Sequence, residues 1–262
     1  MRNPFTRLIA VLAGVLILTP VVLAQQTGEA RAKAAPPAPS RDLTGIWEFF
    51  NQLPGQGIYA TPSKEAPPMT PWGQERFDAA KPGYGPRITT DSNDPILRCD
   101  PVGIPRALFY PQPIEIVQTP ERVFMFFERD HLWRPIWLNR RDHPKDLAPM
   151  WVGDSVGWWE GDTFVVDSVG FNDRSWLDAY GYPHSEELHL VERYQRTDAN
   201  TLKLNFTVED PKVFTKPWVS DTKIFKLLPK NKAFMEELFC VPSEEDAFTD
   251  RFRKPGMGEG SK

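Results

Sequence analysis

Two runs decide how this chain reads: Trp158-Trp159-Glu160-Gly161-Asp162-Thr163-Phe164-Val165-Val166-Asp167-Ser168, and His184-Ser185-Glu186-Glu187-Leu188-His189-Leu190-Val191-Glu192-Arg193-Tyr194. The first is two short alternating segments joined by Glu160-Gly161-Asp162, which is hairpin chemistry. In the second, His184, Glu186, Glu192 and Tyr194 share parity with Leu188 and Leu190. Alternate residues of a β-strand face one side, so a strand here turns titratable groups toward the same surface as its leucines. Inward charge is costly without a partner or a purpose, and the search for function therefore starts there.

The pattern extends both ways along the chain. Leu43 to Phe50 reads as a first strand. Beyond Ile114 come Ile114–Gln118, Arg122–Arg129, Trp133–Asn139, Ser155–Trp159, Thr163–Ser168, Glu186–Arg196, Thr201–Glu209, Val219–Leu227 and Ala233–Cys240. Turn residues fill most gaps, as in Thr119-Pro120-Glu121, Asp198-Ala199-Asn200 and Pro229-Lys230-Asn231. Such spacing implies an all-β fold: an antiparallel meander closed or nearly closed into a barrel, which removes the sheet edges. Thr70-Pro71 supplies an N-cap and a proline at the first helical position, so one short helix is expected to Ala80. Residues 51–69 and 83–111 are rich in Pro and Gly and read as long loops.

Arg2 and Arg7, the apolar run from Leu8 to Leu23 and Val22-Leu23-Ala24 before Gln25 have the form of a signal peptide over residues 1–24. An Ala/Pro-rich linker is expected over 25–40, one barrel domain over 41–242 and a loosely ordered tail over 243–262. The protein is thus expected in the periplasm or outside the cell, with no membrane insertion after cleavage and an oligomeric state the sequence leaves open. Lys and Arg number 31 against 35 Asp and Glu, a mildly acidic balance that argues against nucleic acid and anionic membranes as partners. Cys99 and Cys240 are the two cysteines. In an oxidising compartment they are expected to form a disulfide worth roughly 4 to 5 kcal/mol in the chain-entropy account.

Gly45-Ile46-Trp47 resembles the Gly-x-Trp opening of lipocalin-type barrels, in which that tryptophan plugs one end. A wider set of segments, among them Trp159-Glu160-Gly161-Asp162-Thr163, Gly170-Phe171-Asn172-Asp173, Trp176-Leu177-Asp178 and Pro183-His184-Ser185-Glu186, resembles a widespread uncharacterised family of exported bacterial proteins. That likeness implies export and a shared architecture, and the Gly-x-Trp strand implies that the architecture is a lipocalin-like barrel. It brings no assigned catalytic residues.

Three constellations are candidates. His184, Glu186, Glu192 and Tyr194 form the first, with His184 as acid, base or ligand anchor and a Glu setting its tautomer. Glu128 and Arg134 share inward parity on neighbouring strands, either as a binding clamp or as an ion pair that fixes register. Asp167, Asn172 and Asp173 stand at a strand end, where they ring a barrel mouth or cap turns. No His-x-His, His-Glu-x-x-His, Gly-x-Ser-x-Gly or phosphate-binding Gly-rich loop occurs, so neither a dedicated metal site nor an organic cofactor is expected.

The expected function is capture of an amphipathic or aromatic small molecule in the barrel cavity, with Glu128, Arg134, Asp167, Asn172, His184, Glu186, Glu192 and Tyr194 as binding residues. The alternative is a cofactor-independent lyase, hydratase or isomerase in the same cavity, with His184 as base or acid, Glu186 as its orienter and Arg134 as electrostatic stabiliser.

Overall fold

The computed structural model describes residues 41–50, 61–248 and 251, all within the unit Ala35–Lys262. The signal peptide, the linker, part of the 51–69 loop and most of the tail lie outside the described residues. Ten strands form one sheet: β1 Gly45–Phe49, β2 Ile114–Gln118, β3 Arg122–Phe127, β4 Trp133–Trp137, β5 Asp154–Glu160, β6 Thr163–Val169, β7 His189–Asp198, β8 Thr201–Glu209, β9 Trp218–Val219 and β10 Lys223–Leu227. Each of β1 to β8 pairs with its successor, and β10 pairs with both β1 and β8, which closes the sheet. The short β9 lies along β8 at Thr207 and Val208, beyond the part that β10 covers. Thus β9 and β10 are two pieces of one expected strand, broken at Ser220. There the Ser220 hydroxyl accepts from the Phe206 amide at 2.8 Å.

Nine strands close the ring, and that number imposes a constraint. Going once round a barrel must restore the starting direction, so the antiparallel pairings must be even in number. Eight are antiparallel, and one, β4 with β5, is parallel. The expected all-antiparallel meander is corrected at this seam. A parallel pair requires a crossover of about a dozen residues or more, and residues 138–153 supply it. They carry no strand or helix of their own. Instead the Met150 amide donates to Gly170 O at 2.9 Å, and the Asn172 amide donates to Met150 O at 2.8 Å.

Inward positions alternate as the pleat demands. Trp47, Ile114, Ile116, Val123, Met125, Ile136, Phe164, Val166, Leu190, Leu204, Phe206 and Phe225 are all buried. Trp47 is fully buried at 0% exposure, its indole N–H donates to Leu43 O at 2.9 Å, and the Arg196 guanidinium lies 5.2 Å from its ring. The segment Val102–Phe109 is buried throughout, and the Phe109 ring stacks on Phe206 at 5.5 Å. Between Trp47, Leu108, Ile114, Met125, Tyr194 and Phe225 there remains a void of ≈ 10 Å³, room for about one water. Space is so limited that Gly157 on β5 admits no side chain: a Cβ there would meet Phe164 at 2.6 Å and Ile136 at 2.7 Å.

Helix α1, Pro71–Ala79, forms as expected, with the Thr70 hydroxyl accepting from the Gly73 amide at 3.1 Å. A second short helix, α2, spans Pro242–Phe248. The disulfide Cys99–Cys240 is present, with a Cα–Cα distance of 5.4 Å. Residues 233–240 are not a strand. Their amides go to side chains instead, Glu236 N to Glu128 Oε2 at 2.7 Å and Leu238 N to His131 Nε2 at 3.1 Å. Among the described residues no helix is long and apolar enough to cross a membrane.

One ion pair crosses the lumen. Arg134 Nη1 lies 2.9 Å from both oxygens of Glu192, and both side chains are fully buried. Removing one partner strands the other charge in an apolar interior. Glu192→Leu should therefore lower stability by about 3–5 kcal/mol, whereas the double change Arg134→Met with Glu192→Leu should recover most of that loss. Urea denaturation midpoints test this, and equal destabilisation by the single and double variants would contradict it.

Candidate functional site

The lumen cluster is built from four strands. Arg134 on β4 donates from Nε to Ser155 Oγ on β5 at 2.9 Å and from Nη2 to Ser168 Oγ on β6 at 2.6 Å, besides its bonds to Glu192 on β7. The Tyr194 hydroxyl donates to Glu192 Oε2 at 2.8 Å. Burial, reinforced by the adjacent Glu192 carboxylate, pushes that hydroxyl well above its ordinary range, so it stays protonated and donates. All the strong polar groups of this cluster are mutually satisfied and the lumen is filled. Expected binding residues Arg134, Glu192 and Tyr194 do come together, but as a closed structural network.

A second chain of groups runs over the outer surface. Asp167 on β6 sits between two imidazoles, with His143 Nε2 at 2.9 Å from Oδ1 and His189 Nε2 at 2.8 Å from Oδ2. His143 Nδ1 lies 2.7 Å from Asp154, which also accepts from Arg140, and His189 Nδ1 lies 3.0 Å from Glu209. Asp167 thus faces out from the barrel and serves the 138–153 crossover, not a ligand cavity. The hydrogen bond to Asp167, joined by Glu209 and opposed by burial, pushes His189 up to about 9. Burial disfavours the Asp167 charge, yet the two histidines outweigh it and hold the carboxyl below its usual range.

The loops carry the clefts. Residues 83–111 fold back on the barrel, with the short 3-10 turn Pro95–Arg98 capped by Asp94, whose Oδ1 accepts from the Ile96 amide at 3.2 Å. The same carboxylate takes both ends of the Arg106 guanidinium, Nη1 at 2.8 Å and Nη2 at 2.6 Å. Beside this pair lies an open cleft of ≈ 290 Å³ walled by Tyr84, Ile96, Leu97, Phe109, Tyr110 and Ala179. Arg106 is 2% exposed, and its Nε–H has no hydrogen-bond partner among the described residues. Asp178, wholly buried on the adjoining loop, accepts from the amides of Tyr180 and Tyr182, and burial pushes its carboxyl up to about 6.

A further cleft of ≈ 230 Å³ is lined by His184, Ser175, Asp173, Arg174, Arg76 and Asn93, among others. His184 is buried but lies in the connector before β7, since that strand begins at His189. Its Nε2 is 3.0 Å from Ser175 Oγ. Burial lowers its pKa from the ordinary histidine value. Glu186, expected as its orienter, is exposed on a turn. The strand parity from Leu188 to Tyr194 is as expected, but the chain leaves the sheet before Glu186, so parity fails there.

Glu128 and Arg134 do not meet either. Arg134 registers with Met125 across β3 and β4, while Glu128 follows the end of β3 and caps the 233–240 segment. Asn172 is a turn residue, its Oδ1 accepting from the Arg174 amide at 3.1 Å. Reading the sequence missed His143, Ser175, Asp94 and Arg106. The single available signal was the outward parity of His189; the others lie on loops whose partners are set by tertiary folding. Among the described residues no cluster of three or more His, Cys, Asp or Glu is arranged to hold a metal ion.

The class these features define is a closed β-barrel with a filled lumen and clefts built by its loops. No family model, no curated protein and no solved structure matches the chain.

The outer clasp has a defined pH window. His189 contributes stability fully below its ordinary value near 6.5 and loses it as pH rises through about 9. Asp167 contributes fully above its ordinary value near 3.8 and loses it as pH falls through its lowered folded value. Asp167→Asn should bring the His189 titration, followed by NMR, down from about 9 toward the ordinary range, and should speed tryptic cleavage after Arg140 and Arg141 at pH 8. An unmoved His189 midpoint would remove Asp167 as the cause.

Proposed function

We propose that this exported protein captures a small aromatic or amphipathic molecule bearing a hydrogen-bond acceptor, and that it does so in the cleft beside Arg106. The barrel is the frame. One observation carries this: an apolar cleft whose wall holds a desolvated arginine with an unsatisfied N–H. Burying a donor without a partner costs about 1–3 kcal/mol, and because Arg106 lines the cleft, a small shift of its side chain on binding would bring that buried N–H to a ligand oxygen and remove the penalty. Tyr84, Phe109 and Tyr110 supply flat apolar area for a ring. A volume of ≈ 290 Å³ stands at the lower edge of ordinary ligand sites, roughly 300–1,000 Å³.

The cleft is also held in advance of any ligand. Cys99–Cys240 ties the end of the Pro95–Arg98 turn to the C-terminal segment, and Asp94 fixes both the turn and Arg106. Rigidity of this kind lowers the ordering cost of binding. Export rests on the basic and apolar start of the chain, with Val22-Leu23-Ala24 before Gln25, and on the disulfide, which persists in oxidising compartments. The lipocalin-type resemblance is compatible with the closed barrel and with the buried Trp47 on β1, although the ligand is proposed for the loops and not for the lumen.

The probe is 1-anilinonaphthalene-8-sulfonate, which combines aromatic rings with an anionic acceptor. Ala179→Trp, which fills the cleft from its wall, should weaken probe binding by about tenfold or more, equivalent to about 1.4 kcal/mol. Trp133→Ala, on the exposed outer face of β4, should leave it at the wild-type level. Equal fluorescence enhancement in wild type and Ala179→Trp, with both folded by circular dichroism, would refute this location.

A further inference from the structure

Ser175 and His184 form a pair that ligand capture does not use. Their contact of 3.0 Å joins Oγ to Nε2, while Nδ1 of the same ring lies 3.3 Å from the Ser185 carbonyl oxygen. A carbonyl only accepts, so Nδ1 carries the proton and Nε2 is the acceptor. The Ser175 hydroxyl therefore donates to Nε2, which is the orientation of a nucleophile held by its general base. Asp210 fixes the backbone on which this depends. It accepts from the Ser185 amide at 2.6 Å and from the Ser185 hydroxyl at 2.8 Å. Asp210 is thus a positioning residue, acting through Ser185 on the imidazole.

A purely structural Ser–His bond would be sealed inside the protein. Ser175 and His184 are 5% and 2% exposed, yet both line the ≈ 230 Å³ cleft, which gives a bound molecule its approach to the pair. Arg76 and Arg174 stand on the same cleft against the single carboxylate of Asp173, and all three are exposed. That balance is positive, favouring a substrate with negative charge and an oxyanion in the transition state. Burial keeps His184 in its neutral, basic form.

The geometry points to acyl transfer: Ser175 is the nucleophile and His184 the general base in hydrolysis of a carboxylic ester that carries an anionic group. Ser175 Oγ attacks the ester carbonyl carbon as its proton moves to His184 Nε2, and the carbonyl π electrons pass to oxygen. The tetrahedral species collapses, the bond to the alcohol oxygen breaks, and that oxygen takes the proton from Nε2. Water then attacks the acyl-Ser175, again giving a proton to Nε2. The carboxylic acid leaves as Oγ recovers that proton.

A fluorophosphonate probe incubated with the full chain tests the nucleophile, with the adduct located by peptide mass spectrometry. Phosphonylation at Ser175 is expected, absent in Ser175→Ala and slowed about 100-fold or more in His184→Gln. The wild-type result stands even if a variant misfolds: no adduct at Ser175 overturns the assignment. An adduct formed at the wild-type rate in folded His184→Gln overturns the role of the imidazole. For substrate class, the 4-nitrophenyl monoester of succinate should be hydrolysed faster than 4-nitrophenyl acetate, and the reverse order would overturn the anionic preference.

Discussion

The Arg134–Glu192 pair is the interaction on which the rest depends. Two opposite charges at full burial are tolerable only if every remaining donor and acceptor is met, and Ser155, Ser168 and Tyr194 meet them from three further positions. The five residues come from β4, β5, β6 and β7, so the network pins the register of all four strands. A slip by one residue would turn Arg134 to solvent and bury a neighbour in its place. Having been satisfied internally, the network offers nothing to a ligand. The void beside Trp47, Met125 and Tyr194 is only ≈ 10 Å³, so the lumen there is packed as a core. The larger clefts lie where chain is left over, in the loops.

Closure with nine strands fixes where that chain goes. The parity of directions demands one parallel seam, and it falls between β4 and β5. The crossover 138–153 has to travel back along the barrel without a helix to satisfy it. Imidazoles and carboxylates do so instead, which accounts for the Arg140–Asp154–His143–Asp167–His189–Glu209 chain on the outer face. That array has the composition of an active site, yet each member is consumed by its neighbours and the whole holds one loop against the sheet. It is the clearest case here of titratable residues gathered for topology.

Strand positions were legible because alternation and turn chemistry are local. Gly161, at φ 60°, sits in the Glu160–Thr163 hairpin as the turn residues imply. Leu188, Leu190, Glu192 and Tyr194 face inward for the same reason. What was not legible required knowing which distant segments meet. Alternating sequence cannot state that a chain leaves the sheet at Leu188, and so Glu186 was assigned to a face it never occupies. Nor can it announce a parallel seam, since the strands read alike whichever way their neighbour runs. Glu128 was paired with Arg134 by parity alone, whereas the actual partner, Glu192, is 58 residues farther along the chain from Arg134. Apolar and aromatic residues made 233–240 look like a strand, but amides of that segment go to the side chains of Glu128 and His131.

The two loop clefts share one wall. Ser92 and Asp94 line the apolar cleft, while Asn93 between them lines the Ser175–His184 cleft. Adjacent residues of an extended segment point to opposite sides, which is how three consecutive positions serve two sites. The segment is itself fixed at both margins: the Asn93 side chain accepts from the Lys81 amide at 2.7 Å and donates to Ala79 O at 3.1 Å, and Asp94 grips Arg106. A ligand oxygen drawn toward Arg106 would have to be accommodated without shifting Asp94, or the shift would pass directly to Asn93 and the cleft beyond. The 92–94 segment is thus common to the ligand cleft and to the Ser175–His184 cleft proposed above, and a shift of Asp94 would reach Asn93 through one peptide unit.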